Sequence, residues 1–273
     1  MTTFSFSHVT FLLISVYILG AVIGSFLNVC IYRIPEGLSV VRPRSRCPHC
    51  GTAIRWYHNL PILSWILLKG QCAYCGTGFS VRYPLVEALN GFLFVLFFYR
   101  FAFHPVTPVI WLLSATLVVI SFIDLDHQII PDVISLPGIV VGFACSFLVP
   151  WVTWQESLTG ILLGGGSLML IALGYECVTK KEGMGFGDVK LLAMLGAFLG
   201  WPAIFPIIFI GSVLGTCVGI PLMLFNKADS KLALPFGPFL SVGALCHVFF
   251  VDRLDPLMRW YVEVLAYFLQ NIW

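Results

Sequence analysis

The sequence predicts an all-α polytopic membrane protein, with about eight transmembrane helices and a small zinc-ribbon-like cytoplasmic loop domain. Three observations carry that prediction. Of 273 residues, 59% are hydrophobic and only 10% charged, with a mean hydropathy of +0.96, whereas a soluble domain carries roughly a quarter charged residues. The apolar residues gather into runs near the roughly 20 that a helix needs to cross about 30 Å of hydrocarbon. Four of the nine cysteines stand as two Cys-x-x-Cys pairs in one long polar connection. This composition excludes a disordered chain, a nucleic-acid binder and an ordinary soluble enzyme; a net charge of +2 identifies no partner.

The apolar runs, in order, are Val9–Ile31, Leu85–Phe103, Val106–Ile123, Val133–Val149, Leu158–Val178, Val189–Leu199, Ala203–Phe225 and Phe236–Val251. The first is too long for a signal-peptide core, and Met1–His8 has no Lys or Arg before it, so it reads as a retained span. The sixth is too short to cross alone and meets the breakers Gly200-Trp201-Pro202, which predicts a broken or partly immersed helix surrounded by protein. The domain reading is a first transmembrane helix over 1–32, a cytoplasmic four-cysteine loop domain over 33–83, a membrane-embedded core over 84–252 and an interfacial tail over 253–273. That tail mixes Arg259 and Glu263 with aromatic residues, the pattern of an amphipathic surface helix.

Orientation follows from basic residues in alternate loops. Twelve fall on one side, namely Arg33, Arg42, Arg44, Arg46, Arg55, Lys69, Arg82, Lys180, Lys181, Lys190, Lys227 and Lys231, against Arg100, Arg253 and Arg259 on the other. The long loop is therefore expected in the cytoplasm and both termini outside. Seven basic residues in that loop suit anionic lipid headgroups.

Within the loop, Cys47-Pro48-His49-Cys50 and Cys72-Ala73-Tyr74-Cys75 are each followed by a glycine, Gly51 and Gly76. Two such knuckles close a tetrahedral zinc site and give a largely polar segment its folding free energy. Two disulfides or redox chemistry are the alternative, set against by the reducing compartment. Cys30, Cys145, Cys177, Cys217 and Cys246 sit in or beside apolar runs and read as small hydrophobes.

Ionisable residues at span ends are costly and hence functional candidates. Asp124 ends the third run and Asp188 opens the sixth, both at the cytoplasmic edge. Two carboxyl groups sharing a proton are what an aspartic protease needs, one to take a proton from water and one to polarise the amide carbonyl. Gly185 and Gly187 leave the approach to Asp188 bare, permitting positive φ and contact with an extended peptide. Asp188 could equally cap its helix. Asp132, after Pro131, reads as a cap; Asp126 points to another face than Asp124; His127 reads as a relay or a solvated loop residue. Lys190 either biases the pair and holds a substrate carbonyl or snorkels to the surface.

These residues resemble the type IV prepilin leader peptidase and N-methyltransferase family, a group of membrane aspartic proteases with a Gly-x-Gly-Asp motif. The resemblance runs through Gly24-Ser25-Phe26-Leu27-Asn28, Tyr32-Arg33-Ile34-Pro35, both cysteine pairs, Asn59-Leu60-Pro61, Arg82-Tyr83-Pro84 with Glu87, Asp124-Leu125-Asp126-His127, Gly185-Phe186-Gly187-Asp188-Val189-Lys190 and Pro235-Phe236-Gly237-Pro238. It implies catalytic carboxylates at Asp124 and Asp188 and cleavage of prepilins or pseudopilins after a glycine that ends a basic leader. It also implies methylation of the new amino terminus by S-adenosylmethionine, an activity in which the cysteine loop takes part. No glycine-rich nucleotide fingerprint places the methyl donor, and only eleven residues separate Pro35 from Cys47, fewer than in many members. The alternative from another class is a transporter or metal-handling protein with a zinc-binding loop, which calls for internal repeats and polar groups along the spans; neither is found.

Overall fold

The computed structural model describes residues 6–179, 185–226 and 234–270. Lys180, Lys181, Lys227 and Lys231, which contribute to the orientation count, lie outside the described residues, as do Gly183 and the last three residues of the tail. All eight apolar runs are helical. In chain order the helices are α1 (Phe6–Arg33), the short α2 (Leu63–Leu67), α3 (Arg82–Phe101), α4 (Val106–His127), α5 (Asp132–Leu148), α6 (Trp154–Thr179), α7 (Phe186–Leu199), α8 (Ile204–Asn226), α9 (Gly237–Phe249) and α10 (Val251–Gln270). Apart from two isolated bridges, the described residues hold no extended pairing.

Among the described residues, five helices are long and apolar enough to cross a membrane: α1, α3, α4, α6 and α8. α9 and α10, bent by 96° at their junction, form a sixth if taken as one broken span, and α5 is a shorter apolar helix. α7 is the short sixth run. At 14 residues it rises about 21 Å, and every residue from Leu191 to Leu199 is buried where it packs between α5 and α6. Protein, rather than lipid, therefore surrounds it, as a non-spanning helix at membrane depth requires. It stops at Gly200, whose φ of +77° ends the helix before Pro202 in the following 3-10 turn.

The chain divides into two compact units, residues 1–123 and 124–273. The first is built on α1 against α3. In lipid, apolar side chains gain little from leaving one another's company, so close packing and interhelical hydrogen bonds hold such pairs together. Here the fully buried Asn90 donates to the Gly20 carbonyl at 2.7 Å and Asn28 donates to the Tyr83 carbonyl at 3.0 Å, bonds of a kind worth about 0.6–2 kcal/mol each. Phe94 stacks on Trp111 of α4 at 4.7 Å, while the indole N–H bonds the Phe94 carbonyl at 3.0 Å.

The second unit begins with the last turn of α4 and gathers α5 to α10. Ser157 of α6 donates to the Ala197 carbonyl of α7 at 2.7 Å, both in the interior. At the far end of α7, Arg259 of α10 lies over the Trp201 ring at 5.8 Å and pairs with Glu156 of α6.

Candidate active site and metal centre

Both candidate catalytic carboxylates belong to the second unit. Asp124 sits in the last turn of α4, 5% exposed, with its own carbonyl accepting the Gln128 amide at 2.9 Å. Asp188 is the third residue of α7 and half-buried. The two lie close enough that Asp188 feels the charge of Asp124. The N-cap of α7 is Gly185, whose carbonyl accepts the Asp188 amide at 3.2 Å.

What holds Asp124 in place comes from α9. The Gly237 amide, at the first turn of that helix, donates to Asp124 Oδ2 at 2.9 Å, and both groups are buried. A side chain at Gly237 would put its Cβ 2.6 Å from that oxygen, so only glycine lets the helix end approach. Free amides at a helix N-terminus favour an anion; Asp124 accepts from the first turn of α9, and Asp188 stands in the first turn of α7. Ile130, in the connection after α4, wedges between them: a Cβ at Gly187 would meet its Cβ at 3.0 Å, and one at Gly237 its Cδ1 at 3.3 Å.

Gly237 is the functional position that the sequence left without a role, although it stands inside one of the motifs. A glycine followed by Pro238 at a helix start was the available signal. Neither Gly185 nor Gly187 adopts positive φ; the close approach at Gly187 is to Ile130, and Gly185 has no neighbour nearer than its own chain at 3.9 Å.

Lys190 does not face the carboxylates. Its Nζ pairs with Asp132 Oδ1 at 2.6 Å, both side chains partly exposed, which ties the first turn of α7 to that of α5. The N-cap of α5 is Pro131, and Asp132, expected as a cap, stands in the first turn and makes this ion pair. Asp126 and His127 are exposed.

The four cysteines come together in the first unit. Their sulfurs all lie within 4.8 Å of one another, Cys47 and Cys75 at 3.8 Å, and none is in a disulfide. Four thiolates bound tetrahedrally at about 2.3 Å would stand about 3.8 Å apart, so the cluster fits one metal ion. Each knuckle is built alike. The Cys47 amide donates to the Thr52 carbonyl at 3.0 Å and the Gly51 amide back to Cys47 at 2.9 Å; Cys72, Thr77 and Gly76 repeat this at 2.8 and 3.0 Å. Gly51 and Gly76 have φ of +70° and +71°, a turn that a Cβ would strain.

The Thr52 hydroxyl, 3.4 Å from Cys50 Sγ, draws that thiol below its ordinary value, and Thr77 does the same to Cys75 at the same distance. Backbone amides of Tyr74 and Cys75 lower Cys72. At Cys47 the Cys50 amide pulls downward, but burial and the neighbouring sulfurs prevail and the thiol is raised. Three of the four are therefore disposed to be thiolate ligands.

Two family models match the chain: the bacterial peptidase A24 N-terminal domain over residues 18–101, and the type IV leader peptidase family over residues 111–220. The first contains all four cysteines and the second both Asp124 and Asp188. The chain is 44% identical to the prepilin leader peptidase/N-methyltransferase of Myxococcus xanthus over 76% of its own length and 62% of that protein. It is 36% identical to the protein of the same name from Pseudomonas putida, over 87% of this chain and 90% of that one, and 36% identical to that from Neisseria gonorrhoeae over 90% and 93%. No solved structure matches.

Proposed function

Because this chain belongs to the type IV leader peptidase family, we propose that it is a bifunctional enzyme of the bacterial inner membrane. It cleaves the basic leader from type IV prepilins or pseudopilins after glycine, and it N-methylates the amino terminus so exposed. Family membership sets aside the transporter reading. The observation that supports aspartic protease chemistry most directly is that Asp124 and Asp188, from helices far apart in sequence, lie within electrostatic reach of each other, with one carboxylate fixed by a helix N-terminus.

In this reading the two carboxyl groups share one proton, and their titration belongs to the pair. The ionised member takes a proton from water as its oxygen attacks the amide carbon; the protonated member donates to the carbonyl oxygen. Collapse of the tetrahedral adduct returns a proton to the leaving amine and breaks the C–N bond. The Gly237 amide keeps Asp124 in one orientation through both steps. The half-exposure of Asp188 leaves a way in for the peptide.

The active site lies at the cytoplasmic face and both termini outside, on the strength of the basic loops. The four cysteines hold zinc, which closes the two knuckles as a structural site; the basic residues of the loop lie against anionic headgroups. S-adenosylmethionine is the methyl donor, as the names of the relatives suggest.

Asp124→Asn and Asp188→Asn test the pair. Each keeps size and shape but cannot serve as acid or base, so cleavage of a model prepilin in membranes should fall on the order of 10²- to 10⁴-fold, with the protein still inserted at wild-type levels. Full processing by either variant would remove that residue from the site.

A further inference from the structure

Ile130 is a buried side chain beside the carboxylates that plays no part in the acid–base steps. It stands 8% exposed in the connection between α4 and α5, while its neighbour Ile129 is 47% exposed, the alternation of an extended segment. Both ends of that segment are fixed. Gln128, at φ +54°, turns the chain out of α4, and its amide donates to the Asp124 carbonyl at 2.9 Å. Pro131 follows, and the residue before a proline is confined to extended backbone. A β-branched side chain is also stiff at χ1, so Ile130 has little freedom to swing aside.

This stiff side chain runs from the backbone before Asp188 to the carboxylate of Asp124. The point that a Gly237 Cβ would occupy is 2.6 Å from Asp124 Oδ2 and 3.3 Å from Ile130 Cδ1, so the tip of Ile130 and the carboxylate oxygen border the same space. At its other end, a Cβ on Gly187 would meet Ile130 Cβ at 3.0 Å and Cγ1 at 3.3 Å. Gly187 and Asp188 are half-buried, whereas Ile130 and Gly237 are buried, which puts Ile130 on the inner side of the opening that Asp188 leaves. An apolar branched group offers neither a proton nor a charge to the reaction. What it offers is shape.

We propose that Ile130 is the residue that restricts the position before the cut to glycine, an inference that rests on the reading of cleavage after glycine given above. The Cα of that position is bonded to the attacked carbonyl carbon, about 1.5 Å away. Whatever borders the carboxylates therefore borders this Cα, and glycine presents only hydrogen there. Alanine would bring a methyl group against the wall that Ile130 forms with Gly187 and Gly237. In a closely packed site such a contact is relieved only by moving the wall or the peptide, and moving the peptide takes its carbonyl away from the acid and the base, at a steep cost in rate. One methylene in a fitted site is worth roughly 10–200-fold in kcat/KM. The Cα after the cut lies about 3.8 Å away, on the opposite side of the trans peptide bond, so its side chain escapes this wall.

The test is a specificity ratio measured on the full-length chain in lipid nanodiscs. Model prepilins carrying glycine or alanine before the cut are given to wild type, Ile130→Val and Ile130→Ala, and kcat/KM is read from leader release by mass spectrometry. The alanine-to-glycine ratio compares two substrates on one preparation, so a variant that folds in low yield still reports it. That ratio should rise by at least about tenfold in Ile130→Ala and by about two- to fivefold in Ile130→Val, which loses only Cδ1. A third prepilin, with glycine kept and the residue after the cut changed, should be discriminated equally by all three enzymes. Wild-type ratios in the valine variant, and in the alanine variant wherever it cleaves, would overturn the assignment while leaving the peptidase reading intact; so would a relaxation confined to the residue after the cut. A wild-type chain that fails to cut the prepilin with glycine would overturn that reading and this one with it.

Discussion

Gly237 is where a single missing methyl group decides the geometry of a catalytic candidate. Its Cβ would fall 2.6 Å from Asp124 Oδ2, so Gly237→Ala has to push the carboxylate or the start of α9 aside. A displacement of that order costs on the order of 10²-fold in rate, and we expect cleavage reduced by about that factor with membrane insertion unchanged, as read by processing of a model prepilin alongside immunoblotting of the membrane fraction. Lys190 makes the opposite case. Paired with Asp132 across partly exposed surface, it is worth at most about 1 kcal/mol, so Lys190→Met should slow cleavage by less than about threefold. A loss as large as that of Asp188→Asn would instead place Lys190 beside the substrate. Asp124 and Asp188 were legible in the sequence because a carboxylate at a span end needs a reason to be there. Gly237 and Ile130 were not, since nothing in a glycine or an isoleucine states which distant oxygen or helix end it will meet.

Among the elements, the knuckles were the most legible. Cys-x-x-Cys-Gly-Thr occurs twice, at Cys47 and Cys72, and local turn chemistry alone shapes each copy. Closure of the pair, by contrast, is expected to depend on a bound ion. Chelation, or Cys50→Ser, should release one zinc per chain by elemental analysis and make the loop between Arg33 and Arg82 sensitive to protease, while cleavage of the leader persists. If the loop stays resistant after the metal has left, packing rather than metal holds it. α7 was legible as too short to span, because 14 residues cannot cover the hydrocarbon. Its burial between α5 and α6 was not, since an apolar run reads the same against lipid as against protein. The elbow between α9 and α10, bent by 96°, was read as one run followed by a tail; no breaker residue stands between Phe249 and Val251 to announce it.

At the scale of the whole molecule, the carboxylate pair lies in the unit that starts at Asp124 and the cysteine cluster in the unit that ends at Ile123, matching the division between the two family models. Orientation is testable at this scale. In spheroplasts, external protease should remove a tag appended to the amino terminus and leave the 33–83 loop whole; the reverse pattern would invert the proposed topology. The amino-acid sequence by itself determined the membrane class, the four cysteines as candidate metal ligands and the two acidic candidates. Each of these follows from composition or short spacing: lipid excludes unpaired polar groups, and two thiolates separated by two residues come from one turn. Only the tertiary structure decided which groups meet across long separations, Gly237 with Asp124 over 113 residues and Ile62 with Glu87 over 25. Such meetings depend on the register and rotation with which helices pack, and those are set by many small contacts at once, so that no single segment of the chain contains them.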